Sequence, residues 1–140
     1  MTVIAWDGKT LAADRRVTFN GTPFEATKIF LVSNGESAVI YGAAGSTCDA
    51  NEFHRWIIGD RDRPKLTDLS IIAIDEGGIV YWADSDLNWA KLGCGATAIG
   101  SGGKFALGAM KAGKSARDAV EIAIMLDVDC GNGIDTLDLR

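Results

Sequence analysis

Several things are scarce in this chain, and each scarcity closes off a class of function. Its 140 residues contain one histidine, His54. A Ser-His-Asp or Cys-His mechanism would have to run through that residue, in what reads as a helical stretch. Cys48, Cys94 and Cys130 are odd in number, widely spaced and without CxxC or Cys/His clustering. They read as small buried thiols rather than a disulfide framework or a zinc site. No apolar run approaches the roughly 18–20 residues that span a bilayer, so no membrane segment is expected. The N-terminus has neither a basic region nor a cleavable apolar stretch, which reads as cytoplasmic. Net charge is −5 with no basic stripe. Nucleic acid is therefore excluded as a partner, because phosphate neutralisation ordinarily supplies that affinity.

What the chain does have is strand and turn signals in quick succession. Residues 1–140 read as one domain. Two strands, 2–6 and 9–14, flank Asp7-Gly8, and a second pair, 24–33 and 36–42, flanks Asn34-Gly35; both dipeptides are hairpin signals. Residues 49–58 have helical spacing, with Phe53, Trp56 and Ile57 on one face. After the break at Pro64 a third hairpin, 69–74 with 79–83, turns through Glu76-Gly77-Gly78. A short strand at 97–99 precedes a helix from 103 to 112, stopped by Gly113. A last helix, 116–128, starts at Ser115-x-x-Asp118. It is apolar around most of its circumference, so cover on more than one side is expected. Segregated strands and helices of this kind predict an α+β layered fold, two antiparallel sheets covered by helices.

Two-residue hairpins would set the register outward from each turn. Trp6 then faces Lys9, Thr2 faces Ala13, and Asp14 lies one step beyond, beside the amino end. In the second hairpin Ser33 faces Glu36, which puts Lys28 opposite Tyr41 and Thr27 opposite Gly42. Read singly, each residue has an ordinary role. Asp14 would be a strand-end residue, Lys28 a solvent-facing lysine, Gly42 a tight exit from a strand, and Ser101 a helix N-cap.

The ordered set resembles proteasome β-subunits, and more closely the bacterial HslV-type peptidases, which are N-terminal-nucleophile hydrolases. The matching segments are residues 2–14, Thr27-Lys28-Ile29-Phe30, Gly42-Ala43-Ala44-Gly45-Ser46-Thr47-Cys48-Asp49, and Ala98-Ile99-Gly100-Ser101-Gly102-Gly103 with Ser115-Ala116-Arg117-Asp118 after it. The resemblance implies a four-layer αββα sandwich and a threonine-type peptidase or amidase. Removal of Met1 would leave Thr2 with both a nucleophilic hydroxyl and a free α-amine as base. By the same resemblance Lys28 tunes proton transfer, Asp14 holds Lys28, the Gly42 N–H stabilises the oxyanion, Ser101 orients the amine, and Asp129 is a second acid. Val17, Thr18, Ala26, Phe30, Ile40 and Ala44 would line the first side-chain pocket, favouring an apolar or small substrate side chain.

The resemblance also implies a peptide or unfolded-protein substrate bound beside a strand edge, a homo-oligomer (a ring or smaller assembly) and an ATP-dependent unfoldase. It requires no cofactor, but places a monovalent cation near Val128, Gly131 and Ile134. A catalytically silent homologue with a structural or assembly role is the alternative. Between Ile58 and Leu69 there is room only for a Pro64-containing connection, where the family has a second long helix. Three other motifs fail. Gly100-Ser101-Gly102-Gly103-Lys104 lacks the residues of a phosphate loop. Gly93-Cys94-Gly95-Ala96-Thr97-Ala98 leads into a strand rather than a helix. The stretch 127–138 has its turn glycine displaced from a calcium-loop pattern.

Overall fold

The computed structural model describes residues 2–93 and 95–139. In chain order its elements are β1 (Ile4–Trp6), β2 (Thr10–Asp14), β3 (Arg16–Phe19), β4 (Thr22–Glu25), β5 (Ile29–Ser33) and β6 (Ala38–Gly45). Then follow α1 (Thr47–Ile57), β7 (Leu69–Ile74), β8 (Val80–Ala83), β9 (Ala90–Gly93), β10 (Thr97–Ile99), α2 (Gly103–Lys111), α3 (Ala116–Leu126) and β11 (Ile134–Asp138). Strands β10-β1-β2-β11 make one antiparallel sheet and β5-β6-β7-β8-β9 another, with β3-β4 a separate ribbon.

Period-two alternation decides the layering. Val3, Ala5 and Ala12 face the α2–α3 pair and meet Ala106, Ala119 and Ala123. Their neighbours Ile4, Trp6, Leu11 and Ala13 face the other way, against Ile29, Ile40 and Ile72 of the second sheet. On the far side of that sheet, Tyr41, Ala43 and Ile71 pack against Phe53 of α1. The order is helices, sheet, sheet, helix: the expected αββα sandwich. The fourth layer is α1 alone. In place of a second helix, the 58–68 connection is tied back to α1 by the Asp49 carboxylate, which accepts the N–H groups of Thr67 and Asp68. No helix among the described residues is long and apolar enough to cross a membrane.

Both predicted registers are displaced by two residues, for one reason. Asp7 accepts the N–H groups of Lys9 and Thr10, and Asn34 accepts those of Glu36 and Ser37. Each side chain thereby builds a four-residue loop in place of a two-residue turn. Ile4 therefore faces Ala13, and Ile29 faces Gly42. An even shift leaves every side chain on its expected face.

Other expectations change as well. Residues 24–28 do not continue β5: Thr22–Glu25 folds onto Arg16–Phe19 through Asn20-Gly21, where both residues have positive φ. Strands β9 and β11 were not expected. Helix α3 is covered on more than one side, by α2 and by the β1–β2 sheet, as expected, while Met125 and Leu126 near its end stay exposed. Cys130 is buried as expected, but Cys48 is exposed, and Cys94 lies outside the described residues.

Candidate active site

The β1–β2 and β5–β6 hairpins open toward the same end of the sandwich. There Lys28, just ahead of β5, reaches across to the first sheet. Its Nζ lies 2.8 Å from Asp14 Oδ1 and donates to Thr2 Oγ1 at 3.1 Å. All three residues are buried, Asp14 completely. Asp14 also accepts the N–H groups of Val3, Gly131 and Arg16. A buried charge is tolerated when it is paired and its remaining lone pairs are satisfied, and Asp14 meets both conditions.

On the other side of Thr2 the contacts come from turns. The Thr2 nitrogen donates to Ser101 Oγ at 3.3 Å, and the Ser101 hydroxyl donates to Asp127 Oδ2 at 2.7 Å. The Thr2 carbonyl accepts from the Gly102 N–H at 3.0 Å. That approach needs a glycine at position 100, where φ is +94° and a Cβ would stand 2.1 Å from the Thr2 carbonyl oxygen. Ser101 is not the helix cap it could have been, since the N-cap of α2 is Gly102, with no side-chain cap bond. Its hydroxyl, chiefly, holds the Asp127 carboxyl below the usual carboxylate range, against slight desolvation and with help from the Asp129 N–H. Met1 lies outside the described residues.

Two expected site residues are replaced by neighbours. Asp129 is exposed and, among the described residues, touches the site only through its N–H, given to Asp127 Oδ1. Asp127, at the end of α3, supplies the carboxylate. Gly42 lies within β6, opposite both Ile29 and Ile72. The Ala43 N–H points to Lys28 of the β5 side, and the Ser46 N–H points to Asp68 of the β7 side. Alternation therefore turns the Gly42 N–H into the β7 ladder and the Gly45 N–H toward the site. Gly42 is small because the sheets approach there: a Cβ would come within 2.8 Å of Ile4.

A cavity of about 260 Å³ opens beside Thr2 and Lys28. Val17, Ala26 and Phe30 line it as expected. Ile40 and Ala44 belong to the inter-sheet core, being on the other face of β6, and Thr18 is exposed on the β3–β4 ribbon opposite Pro23. In their place stand Ala43 and Gly45 of β6 and a stripe of α1, Thr47, Asn51 and His54. These three are spaced i, i+4, i+7, one helical face. The spacing is visible in the sequence; which strand face it meets is not. The His54 ring lies 4.5 Å from Phe30, centroid to centroid, and its Nδ1 pairs with the Tyr41 hydroxyl.

Cys130 is close by but chemically inert. Burial first, then the charges of Asp14 and Asp127, push its thiol up to about 12, so it stays protonated and a poor nucleophile. The expected monovalent cation does not fit its loop. The Val128 carbonyl already accepts from Arg16 Nη1 at 2.7 Å, and the Gly131 carbonyl accepts from the Arg15 N–H. The Arg16 guanidinium fills the space over Gly131, and a cation would sit against its charge. Among the described residues no three His, Cys, Asp or Glu side chains converge as metal ligands.

No protein-family model and no curated protein matches the chain. Solved structures do. Eukaryotic HslV from Trypanosoma brucei is similar over 99% of this chain and 98% of its own, at 25% identity and a TM-score of 0.67. Anbu from Hyphomicrobium sp. strain MC1 is similar over 99% of this chain and 81% of its own, with a TM-score of 0.76; at 12% identity that likeness speaks for the fold alone. The chain thus has an HslV/proteasome-like fold, the N-terminal-nucleophile sandwich.

Proposed function

We propose, from that fold and from Thr2 held against Lys28, that the chain is a threonine-type peptidase working through the Thr2 hydroxyl once Met1 is removed. The observation that carries this reading is the buried bridge in which Lys28 Nζ contacts both Thr2 Oγ1 and Asp14 Oδ1. A lysine placed only for solubility would not be buried against a threonine hydroxyl.

The chemistry follows from the positions. A free Thr2 α-amine titrates at about 7.7–8.0 and is partly neutral near pH 7. The cation of Lys28 favours loss of the hydroxyl proton and disfavours protonation of the amine. The amine takes the proton as Oγ1 attacks a peptide carbonyl, and the Gly45 N–H faces the developing oxyanion. The amine then returns the proton to the leaving nitrogen, and water hydrolyses the resulting ester. Ser101, with its own proton committed to Asp127, accepts an N–H of the amine and fixes its orientation. The substrate lies extended beside a strand edge. In the same proposal, copies self-associate, with the exposed Met125, Leu126 and Val128 as apolar contact surface. An ATP-dependent unfoldase would feed an enclosed assembly.

Intact mass and peptide hydrolysis test the reading together. The expected result is a chain starting at Thr2 that cleaves peptides and is silenced by Thr2→Ala. A chain that starts at Thr2, folds and cleaves nothing would instead support the silent structural homologue.

A further inference from the structure

We propose that His54 makes the cavity beside Thr2 selective for substrate side chains ending in a neutral hydrogen-bond acceptor, glutamine above all. The inference rests on the peptidase reading for what happens next, but not for binding. One wall of the cavity, Val17, Ala26, Phe30 and Ala43, is apolar. The facing wall, Thr47, Asn51 and His54, carries polar groups. A purely aliphatic side chain would leave that second wall unsatisfied, and sites with buried polar groups discriminate against ligands that cannot pair them.

The orientation of the imidazole decides which polar group is offered. Tyr41 does not line this cavity; it stands behind the ring, its hydroxyl on Nδ1. Burial holds the Tyr41 phenol above its ordinary range, so it keeps its proton. Among the described residues that O–H has no acceptor other than Nδ1. Tyr41 therefore donates to Nδ1, and the neutral ring carries its proton on Nε2. With Phe30 tilted against the ring at 37° and Tyr41 on Nδ1, the edge left for the cavity presents an N–H donor. An amide carbonyl satisfies it. A carboxylate would also accept, but Lys28, the cation that lines the cavity, is already matched by Asp14, so the carboxylate would be buried without a counter-charge of its own, and a lysine would meet a donor with a donor.

His54 is the sole histidine, so its ring nitrogens give isolated nitrogen-15 signals, best followed at pH 8, where an ordinary histidine is neutral. In the free protein Nδ1 is expected unprotonated and Nε2 protonated, with the tautomers mixing in Tyr41→Phe. Adding acetyl-Ala-Ala-Gln should shift the Nε2 signal, whereas the norleucine analogue, similar in length but without an acceptor, should not. In hydrolysis of matched fluorogenic peptides, His54→Phe should lower the Gln-to-norleucine ratio of kcat/KM about five- to tenfold, the value of one hydrogen bond. A Gln-selective shift without hydrolysis leaves the pocket assignment standing and removes the peptidase. Hydrolysis with an unchanged ratio in His54→Phe, or an Nε2 signal indifferent to both peptides, overturns the assignment whatever becomes of the peptidase.

Discussion

The two sides of Thr2 are built on opposite plans. On one side Lys28 and Asp14 are buried, supplied by residues at the ends of strands and surrounded by backbone that cannot move without opening a sheet. On the other, Ser101 and Asp127 are accessible and supplied by a turn and a helix end. A group that must stay charged in a dry place needs the first plan, because a buried charge is tolerated only when it is paired and its remaining lone pairs are satisfied. A group that only has to orient a neighbour, as Ser101 is proposed to orient the Thr2 amine, can use the second, where solvent keeps the energetic stakes small. The difference is testable by removing charges one at a time.

The largest effect is expected at Asp14. Asp14→Ala strands Lys28 in a buried site and removes the acceptor of three N–H groups, so it should cost about 3–5 kcal/mol. Lys28→Met should cost less, about 1–2 kcal/mol, because Asp14 keeps those three donors. Urea unfolding of the two variants checks the order, and equal losses would show that the ion pair, not the backbone donors, dominates. Turnover should rank differently. Lys28→Met and Thr2→Ala should each lose about a thousandfold or more in kcat, and the double variant should be scarcely worse, since residues acting as one unit are non-additive.

A smaller effect, of known sign, is expected on the open side. The Ser101 hydroxyl is the main reason the Asp127 carboxyl titrates low. Ser101→Ala should raise the Asp127 titration midpoint toward the ordinary carboxylate range, while changing stability by less than about 0.5 kcal/mol. Carboxyl NMR titration reads it directly. A midpoint that does not move would mean that something other than Ser101 sets it.

Much of this arrangement is legible in the sequence, and the misses have physical causes. The Thr2–Asp14–Lys28 meeting survives a wrong register because Asp7 and Asn34 each add two residues to a loop, and an even shift preserves faces. The expected oxyanion donor fails for a different reason, the alternation of N–H groups along β6: the Gly42 N–H turns into the β7 ladder, and the proposed donor is the Gly45 N–H. Ile40 and Ala44 lie on the face of β6 turned away from the pocket, an error of parity rather than of register. Strand β11 reads Ile-Asp-Thr-Leu-Asp, too polar to stand out, and is a strand only because β2 offers it an edge. Asp127 and Asp129 are two residues apart in an irregular stretch, where no periodicity says which one points inward.

A last prediction carries the comparison to the far end of the first sheet. Asp7 is a carboxylate whose hydrogen bonds, among the described residues, come from backbone N–H groups. Oδ1 accepts from Lys9 and Thr10, and Oδ2 from Ala116 at the start of α3. Partial burial works against its charge, but the N–H groups of Ala116, Thr10 and Lys9 outweigh it and hold the carboxyl below its usual range. Because the folded-state value is the lower one, the stabilisation is fully present above the unfolded carboxylate range, near 4, and is lost as pH falls through the folded value. Asp7→Asn keeps one acceptor of the two and turns an amide toward the other set of donors. It should cost about half to 1 kcal/mol at pH 7, discounting for exposure, or roughly 2–3 °C in Tm. That gap should narrow as pH is lowered from 5 to 3, because the wild-type carboxylate is then losing the charge that the asparagine never had. Thermal melts of the pair across this range decide it, and a gap that stays constant or widens toward pH 3 would show that Asp7 caps α3 by shape and not by charge.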